Sequence, residues 1–173
     1  MSNLILRAAT AADIPALSQL AIDSFVGSFG HLYSQPDLSA FLIESYSGDA
    51  IAAELANPSR LYRLAERDGV LLAYCKLGLA CSFPEHARGH HVLELKQLYA
   101  LPQATGSGIG GALMDWAMAE FASRGADEVQ ISVYSGNHGA QRFYARYGFE
   151  KVADVTFRVG TQLDEEFLFA QML

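Results

Sequence analysis

The chain has 173 residues, of which 51% are apolar and 18% charged, with a net charge of −7. That length accommodates one domain with a full core and no comfortable second one, and the mix is neither that of a disordered chain nor that of a membrane protein. No apolar run approaches the roughly 18 residues of a membrane helix, and the acidic balance argues against nucleic acid, whose affinity comes from clustered Lys and Arg. A cationic substrate is compatible with it. Met1-Ser2-Asn3-Leu4 has no basic segment followed by an apolar stretch, so a cytoplasmic location is expected. Cys75 and Cys81 lack metal-ligand spacing and read as inert thiols in or near an apolar strand.

In chain order, Leu4-Ile5-Leu6-Arg7 predicts a short strand. Thr10 and Asp13 resemble a capping box with Asp in the Glu position. The helix they open carries Ile14, Leu17, Leu20, Ala21 and Phe25 at helical spacing. Ser28 to Pro58 is aromatic and acidic (Phe29, Tyr33, Phe41 and Tyr46 with Asp37, Glu44 and Asp49), and one or two short helices are expected there. Asp68-Gly69 between the apolar runs 61–65 and 70–79 signals a two-residue hairpin turn. In the following polar loop His86, His90 and His91 lack the spacing of a metal site, and a solvated loop is the expectation.

The strand Val92 to Leu101 carries an irregularity. Leu93 and Leu95 share one face, whereas Leu98 falls in the opposite phase. A one-residue slip of this kind is what a β-bulge produces; the alternative is a strand buried on both faces. After Pro102 comes a glycine-rich turn, Thr105-Gly106-Ser107-Gly108-Ile109-Gly110-Gly111, opening a helix with Leu113, Trp116, Ala117 and Phe121 on one side. A strand at 128–134, a helix from Asn137 to Tyr147, and closing strands at 149–159 and 165–172 complete a mixed α/β pattern.

Three glycines at alternate positions let backbone N–H groups close on a ligand at the positive end of the helix dipole, a geometry suited to a diphosphate. Gly106, Gly108 and Gly111 also satisfy GxGxxG, but Pro102 to Thr105 intervene after the strand, and Asp127 and Glu128 start the next strand instead of ending it. A nucleotide P-loop needs Lys followed by Ser or Thr after its last glycine, and Ala112 stands there.

Thr105 to Gly110 resembles motif A of the GNAT superfamily of N-acetyltransferases, Q/R-x-x-G-x-G/A. Asn137-His138-Gly139-Ala140-Gln141-Arg142-Phe143-Tyr144-Ala145-Arg146-Tyr147-Gly148-Phe149 resembles its second hallmark, N-x-x-A-x-x-F-Y-x-x-x-G-F. The resemblance is clear over 61–173 and looser over 4–55. Ser24-Phe25, Phe29, the segment Phe41 to Tyr46 and the ending from Val159 resemble spermidine/spermine acetyltransferases of the PaiA type. Thr105 departs from the family's usual Gln or Arg and lacks the planar charged fork of Arg.

The resemblance implies a single N-acetyltransferase domain over residues 1–173. Its fold would be a mixed, mostly antiparallel sheet with a bulged, splayed strand and flanking helices. It also implies acetyl-CoA as cosubstrate, no metal, and a small primary amine, polyamines included, as acceptor; a homodimer is permitted. By the same resemblance, the diphosphate would sit on the amides of Gly106, Ser107, Gly108, Ile109, Gly110 and Gly111, beside Thr105. The pantetheine arm would add to Leu98, Tyr99 and Ala100 and bond Asn137. Tyr144 takes the position of the general acid, and Glu94 matches the spacing of a base carboxylate in some members. Asp37 and Glu44 are candidates to face a cationic acceptor. Two other readings remain open: a coenzyme A-binding sensor without catalysis, and an enzyme for protein N-termini or lysines.

Overall fold

Residues 3–173 are described by the computed structural model; Met1 and Ser2, part of the segment inspected for a leader, lie outside the described residues. Strands β1 (Ile5–Ala8), β2 (Arg60–Arg67), β3 (Val70–Gly78), β4 (Val92–Ala100), β5 (Glu128–Tyr134), β6 (Glu150–Val159) and β7 (Gln162–Met172) form one open sheet in the order β1-β2-β3-β4-β5-β7-β6. Every neighbouring pair is antiparallel except β4 and β5. Helices α1 (Ile14–Phe29), α2 (Gln35–Tyr46) and α3 (Gly48–Ala56) pack on one face, α4 (Ile109–Ser123) and α5 (His138–Arg146) on the other. The mixed, mostly antiparallel sheet expected from the sequence is present. Among the described residues no helix is long and apolar enough to cross a membrane.

Local chemistry accounts for the elements. The Thr10 N–H donates to the Asp13 carboxylate at 2.8 Å, and Arg7 pairs with the same carboxylate at 2.7 Å, fixing the entry to α1. Asp68 (φ 54°) and Gly69 (φ 75°) are both left-handed, as the tight turn between β2 and β3 requires. Alternation then divides the core. In β3, Ala73, Cys75 and Leu77 face α4, whereas Tyr74 faces the N-terminal helices.

In β4 this alternation slips, as the apolar phase predicts. Leu93 and Leu95 lie on the α4 side, and so do Leu98 and Ala100. The register explains how: Gln97 opposes Lys76 and Leu95 opposes Leu77, leaving Lys96 as an extra residue on β4. The consequence falls on the other edge. β4 pairs with β5 only from Val92 to Glu94, against Glu128 to Gln130. Beyond Gln130, β5 stays with β7 as far as Tyr134, while β4 follows β3 to Ala100. A wedge opens between β4 and β5.

One detail adds to the expected solvated histidine loop and another departs from expectation. The histidine loop is pinned by its backbone: the Arg88 and Gly89 N–H groups donate to the fully buried Glu128 at 2.6 and 2.7 Å, and those of His90 and His91 to Asp127 at 2.8 Å each. Strand β7 starts at Gln162 instead of Glu165, directly after the turn at Gly160 and Thr161. That turn is anchored by Asp37 of α2, whose carboxylate accepts from the Thr161 N–H at 2.7 Å and hydroxyl at 3.0 Å. As for the thiols, burial pushes Cys75 up to about 12 and raises Cys81 as well, so thiolate is scarce at neutral pH.

Deleting Lys96 would remove the extra residue, so that strict alternation keeps Leu98 and Ala100 on the α4 side while β4 can continue its ladder with β5. Inserting one Ala after Lys96 would instead turn Leu98 and Ala100 onto the opposite face. The insertion is expected to lower unfolding free energy by at least about 2 kcal/mol, the burial of one leucine, in a urea titration, and the deletion to lower it by less; equal losses would show that the phase of Leu98 does not matter to the core.

Candidate active site

The turn from Pro102 to Gly108 places free amides at the head of α4. Gly106 (φ 74°) and Gly108 (φ 83°) are left-handed, a conformation that costs other residues about 1–2 kcal/mol. Among the described residues, the amides of Gly106, Ser107, Gly108, Ile109, Gly110 and Gly111 donate to no backbone carbonyl. The first turn of α4 carries no acidic residue to neutralise its positive end. The side chains contribute less: Ile109 is buried in the core, Ser107 bonds the Ala104 carbonyl, and the Thr105 hydroxyl donates to the Pro102 carbonyl at 2.7 Å. Thr105 thus spends its hydroxyl proton inside the turn, and what the turn leaves free is its backbone N–H groups.

Below the turn lies a cavity of about 750 Å³, bordered by Leu98, Tyr99, Ala100, the glycines, Phe143 and Arg146. Arg146 is the one charged side chain of its lining. A second cavity of about 360 Å³ fills the wedge between β4 and β5. Leu98, Tyr99, Ala100, Thr105, Ala140 and Tyr144 border both, so the two spaces meet around them. Tyr144 is 5% exposed, and burial raises its phenol above the usual range, keeping it protonated. Asn137 caps α5, its side-chain oxygen accepting from the Ala140 N–H at 3.1 Å, which leaves its NH₂ group for a ligand in the wedge. A CoA-type molecule fits this arrangement: unsatisfied amides for a diphosphate and an unpaired β4 edge for an amide-bearing arm.

Glu94 is the last residue of β4 that pairs with β5, opposite Gln130. Its carboxylate accepts from the Ser82 N–H and hydroxyl at 2.9 and 2.7 Å and pairs with Lys96 at 3.2 Å; it borders neither cavity. Asp37, a candidate acceptor contact from sequence, is committed to Thr161 and Ser34, whose hydrogen bonds hold it below the usual carboxylate range. Glu44 lies in an adjoining groove of about 580 Å³ with Lys76, Lys96 and Arg158. Phe25, Phe29 and Tyr33, from the aromatic segment, do line the wedge. Its acidic groups come from β7: Asp164 and Glu166. They share the inward phase of Leu168 and Ala170, so extending that alternation two steps upstream finds them. Among the described residues no group of three or more His, Cys, Asp or Glu side chains is arranged to hold a metal.

The wedge of the splayed sheet thus joins a glycine turn with free amides to an aromatic, acidic pocket. The Acetyltransferase (GNAT) family profile matches residues 15–149, and the chain belongs to that family of N-acetyltransferases. The chain is 33% identical over 103 residues to the aminoalkylphosphonate N-acetyltransferase of Salmonella typhimurium, covering 60% of this chain and 65% of that one. It is 25% identical over 156 residues to the spermidine N(1)-acetyltransferase of Thermoplasma acidophilum, covering 88% and 91%. The fold superposes on the crystal structure of the PaiA N-acetyltransferase from Thermoplasma acidophilum, solved in complex with coenzyme A, with a TM-score of 0.81, 21% identity and 99% coverage of both chains.

Replacing Asp37 by Ala should release the turn at 160–161. A loss of about 1–3 kcal/mol in denaturant unfolding is expected, with the acceptor KM unchanged; a raised KM at unchanged stability would return Asp37 to the binding site.

Proposed function

We propose that the protein transfers the acetyl group of acetyl-CoA to a primary amine of a small cationic molecule, with polyamines as the acceptor class. The observation that carries this reading is the meeting of the two cavities at Tyr144, between the free amides of the glycine turn and an acidic, aromatic pocket. A thioester carried along the unpaired edge of β4, from Leu98 to Ala100, would end at that junction. A backbone N–H of that edge can stabilise the charge that grows on the carbonyl oxygen as nitrogen attacks.

Each residue has a task that its surroundings permit. The amides of Gly106 to Gly111 and the dipole of α4 hold the diphosphate, with Arg146 supplying positive charge at the same cavity. Asn137 orients the arm through its free NH₂ group. Tyr144 gives its proton to the departing thiolate; buried and neutral, it remains loaded at every physiological pH. Phe25, Phe29, Tyr33 and Phe157 offer ring faces to an ammonium group, and Asp164 and Glu166 offer negative charge. The PaiA-like fold and the spermidine acetyltransferase relative support a polyamine acceptor. Helix α1 and the segment that follows it wall the acceptor side, which fits a small molecule better than a protein chain.

An aminoalkylphosphonate acceptor is the second reading, favoured by Lys96. It borders both the wedge and the adjoining groove of Lys76 and Arg158, where an anionic tail could rest. A free-thiol release assay with acetyl-CoA, run against spermidine, simple alkylamines and an aminoalkylphosphonate, decides between the two and tests transfer itself.

Within that assay, Tyr144→Phe should lower kcat by about 10²-fold while calorimetric acetyl-CoA affinity stays within a factor of about two. Unchanged turnover would remove Tyr144 from proton delivery.

A further inference from the structure

The mechanism needs a group to take a proton from the acceptor. An alkylammonium with a pKa near ~10.4 leaves only about one molecule in 10³ to 10⁴ nucleophilic at neutral pH. Glu94 has the sequence spacing for this task, yet its oxygens are engaged by Ser82 and Lys96 and it borders neither cavity. The wedge itself offers two other carboxylates on one face of β7, and their surroundings differ.

Asp164 is 7% exposed and accepts from the Tyr33 hydroxyl and, at 2.7 Å, from the Gln162 side-chain amide. Its oxygens are held by donors, which suits a fixed negative charge. Glu166 lies two residues along, bordering the same cavity as Tyr144. No Lys or Arg pairs with it among the described residues. A third group points to a polar ligand here: Ser24 of α1, also bordering this cavity, is 3% exposed, and its hydroxyl oxygen has no hydrogen-bond partner. A buried hydroxyl without a partner costs about 1–3 kcal/mol, and an N–H group of a bound ligand would satisfy it.

We infer that Glu166 is the catalytic base of the proposed acetyl transfer, with Asp164 and Ser24 fixing the acceptor's cationic end. This assignment rests on the transferase reading above. The carboxylate of Glu166 takes one proton from the R–NH₃⁺ group, and the freed nitrogen lone pair attacks the thioester carbon. As the C–N bond forms and the C–S bond breaks, Tyr144 protonates sulfur. It recovers a proton from the nitrogen, which becomes the amide. Glu166 then releases its proton to water on product exit, so the cycle yields amide, free thiol and one H⁺.

The charge environment is consistent with this division. Burial raises the pKa of Glu166 above the ordinary glutamate value, and the negative charges of Asp164 and Glu94 push in the same direction, while Ser132 on β5 favours the charged form. Lys96, Tyr33, Tyr99, Tyr134 and Tyr144 complete the groups facing the cavity. A raised carboxyl pKa means that the base already holds a proton below it and is free to accept one above it, so activity rises with pH through that value.

The test measures kcat/KM for spermidine and for propylamine at saturating acetyl-CoA from pH 6 to 10, with thermal melts as a folding control. Glu166→Gln should lower kcat/KM about 10²-fold or more at pH 7. Its deficit should shrink about ten-fold per pH unit as the amine loses its own proton. Glu166→Asp should keep the wild-type profile at reduced rate, which covers the case of a Gln variant that does not fold. Asp164→Asn should raise the spermidine KM about ten-fold and move the acidic limb of the profile to lower pH, and Glu94→Gln should move that limb in the same direction without abolishing it. A Glu166→Gln enzyme with the wild-type profile overturns the assignment while leaving the transferase reading intact. A wild-type protein that binds acetyl-CoA and releases no thiol with any amine overturns both.

Discussion

One extra residue in β4 determines what the rest of the molecule can do. Lys96 has no counterpart in β3, and that mismatch lets Leu95 and Leu98 serve the same core although their positions are of opposite parity. The same displacement bends β4 away from its parallel neighbour after Glu94. A regular ladder would have sealed this line with hydrogen bonds; the bulge instead leaves two polar edges facing each other across a wedge. The ligand cavities, the buried tyrosines and the carboxylates of β7 are arranged around that gap.

Different stretches of chain supply the two ends of the site. The glycine turn, α4 and α5 follow β4 directly and provide backbone donors and a single arginine to one cavity. The far end draws on α1, on the segment before α2 and on β7, which is almost the full length of the sequence away. Tyr33 bonding to Asp164 is the stitch between those distant parts. Changes at the far end can therefore accumulate without touching the glycine turn. The two relatives fit that arrangement, since one is a spermidine and the other an aminoalkylphosphonate acetyltransferase.

Much of this was legible in the sequence wherever a local rule applies. The phase slip between Leu95 and Leu98 announces the bulge, the glycines announce the turn, and Asp68-Gly69 announces its hairpin, because each is specified by neighbours in the chain. The acceptor end was less legible. Asp37 looked like a binding carboxylate because it sits among aromatics, yet it serves the backbone of Thr161 more than a hundred residues on. Asp164 was hidden because the run 161–164 is too polar to read as part of a strand, and Glu166 because nothing local marks its face of the strand from 165 as inward. The inward face of 161–166 is polar for the reason that it lines a cavity and not a core. Glu94 keeps the right spacing, but only the three-dimensional arrangement reveals that Ser82 caps it.

The unpaired edges of β4 and β5 have a further consequence. On the proposed reading, the amide-bearing arm of the cosubstrate completes a sheet that the polypeptide leaves open. Binding to the folded state alone stabilises it by RT ln(1 + [L]/Kd), about 2.7 kcal/mol at a hundred-fold excess over Kd. Resistance to heat and to proteolysis would then rise with the total of coenzyme A species, whether or not the acetyl group is attached, because free coenzyme A carries the same arm.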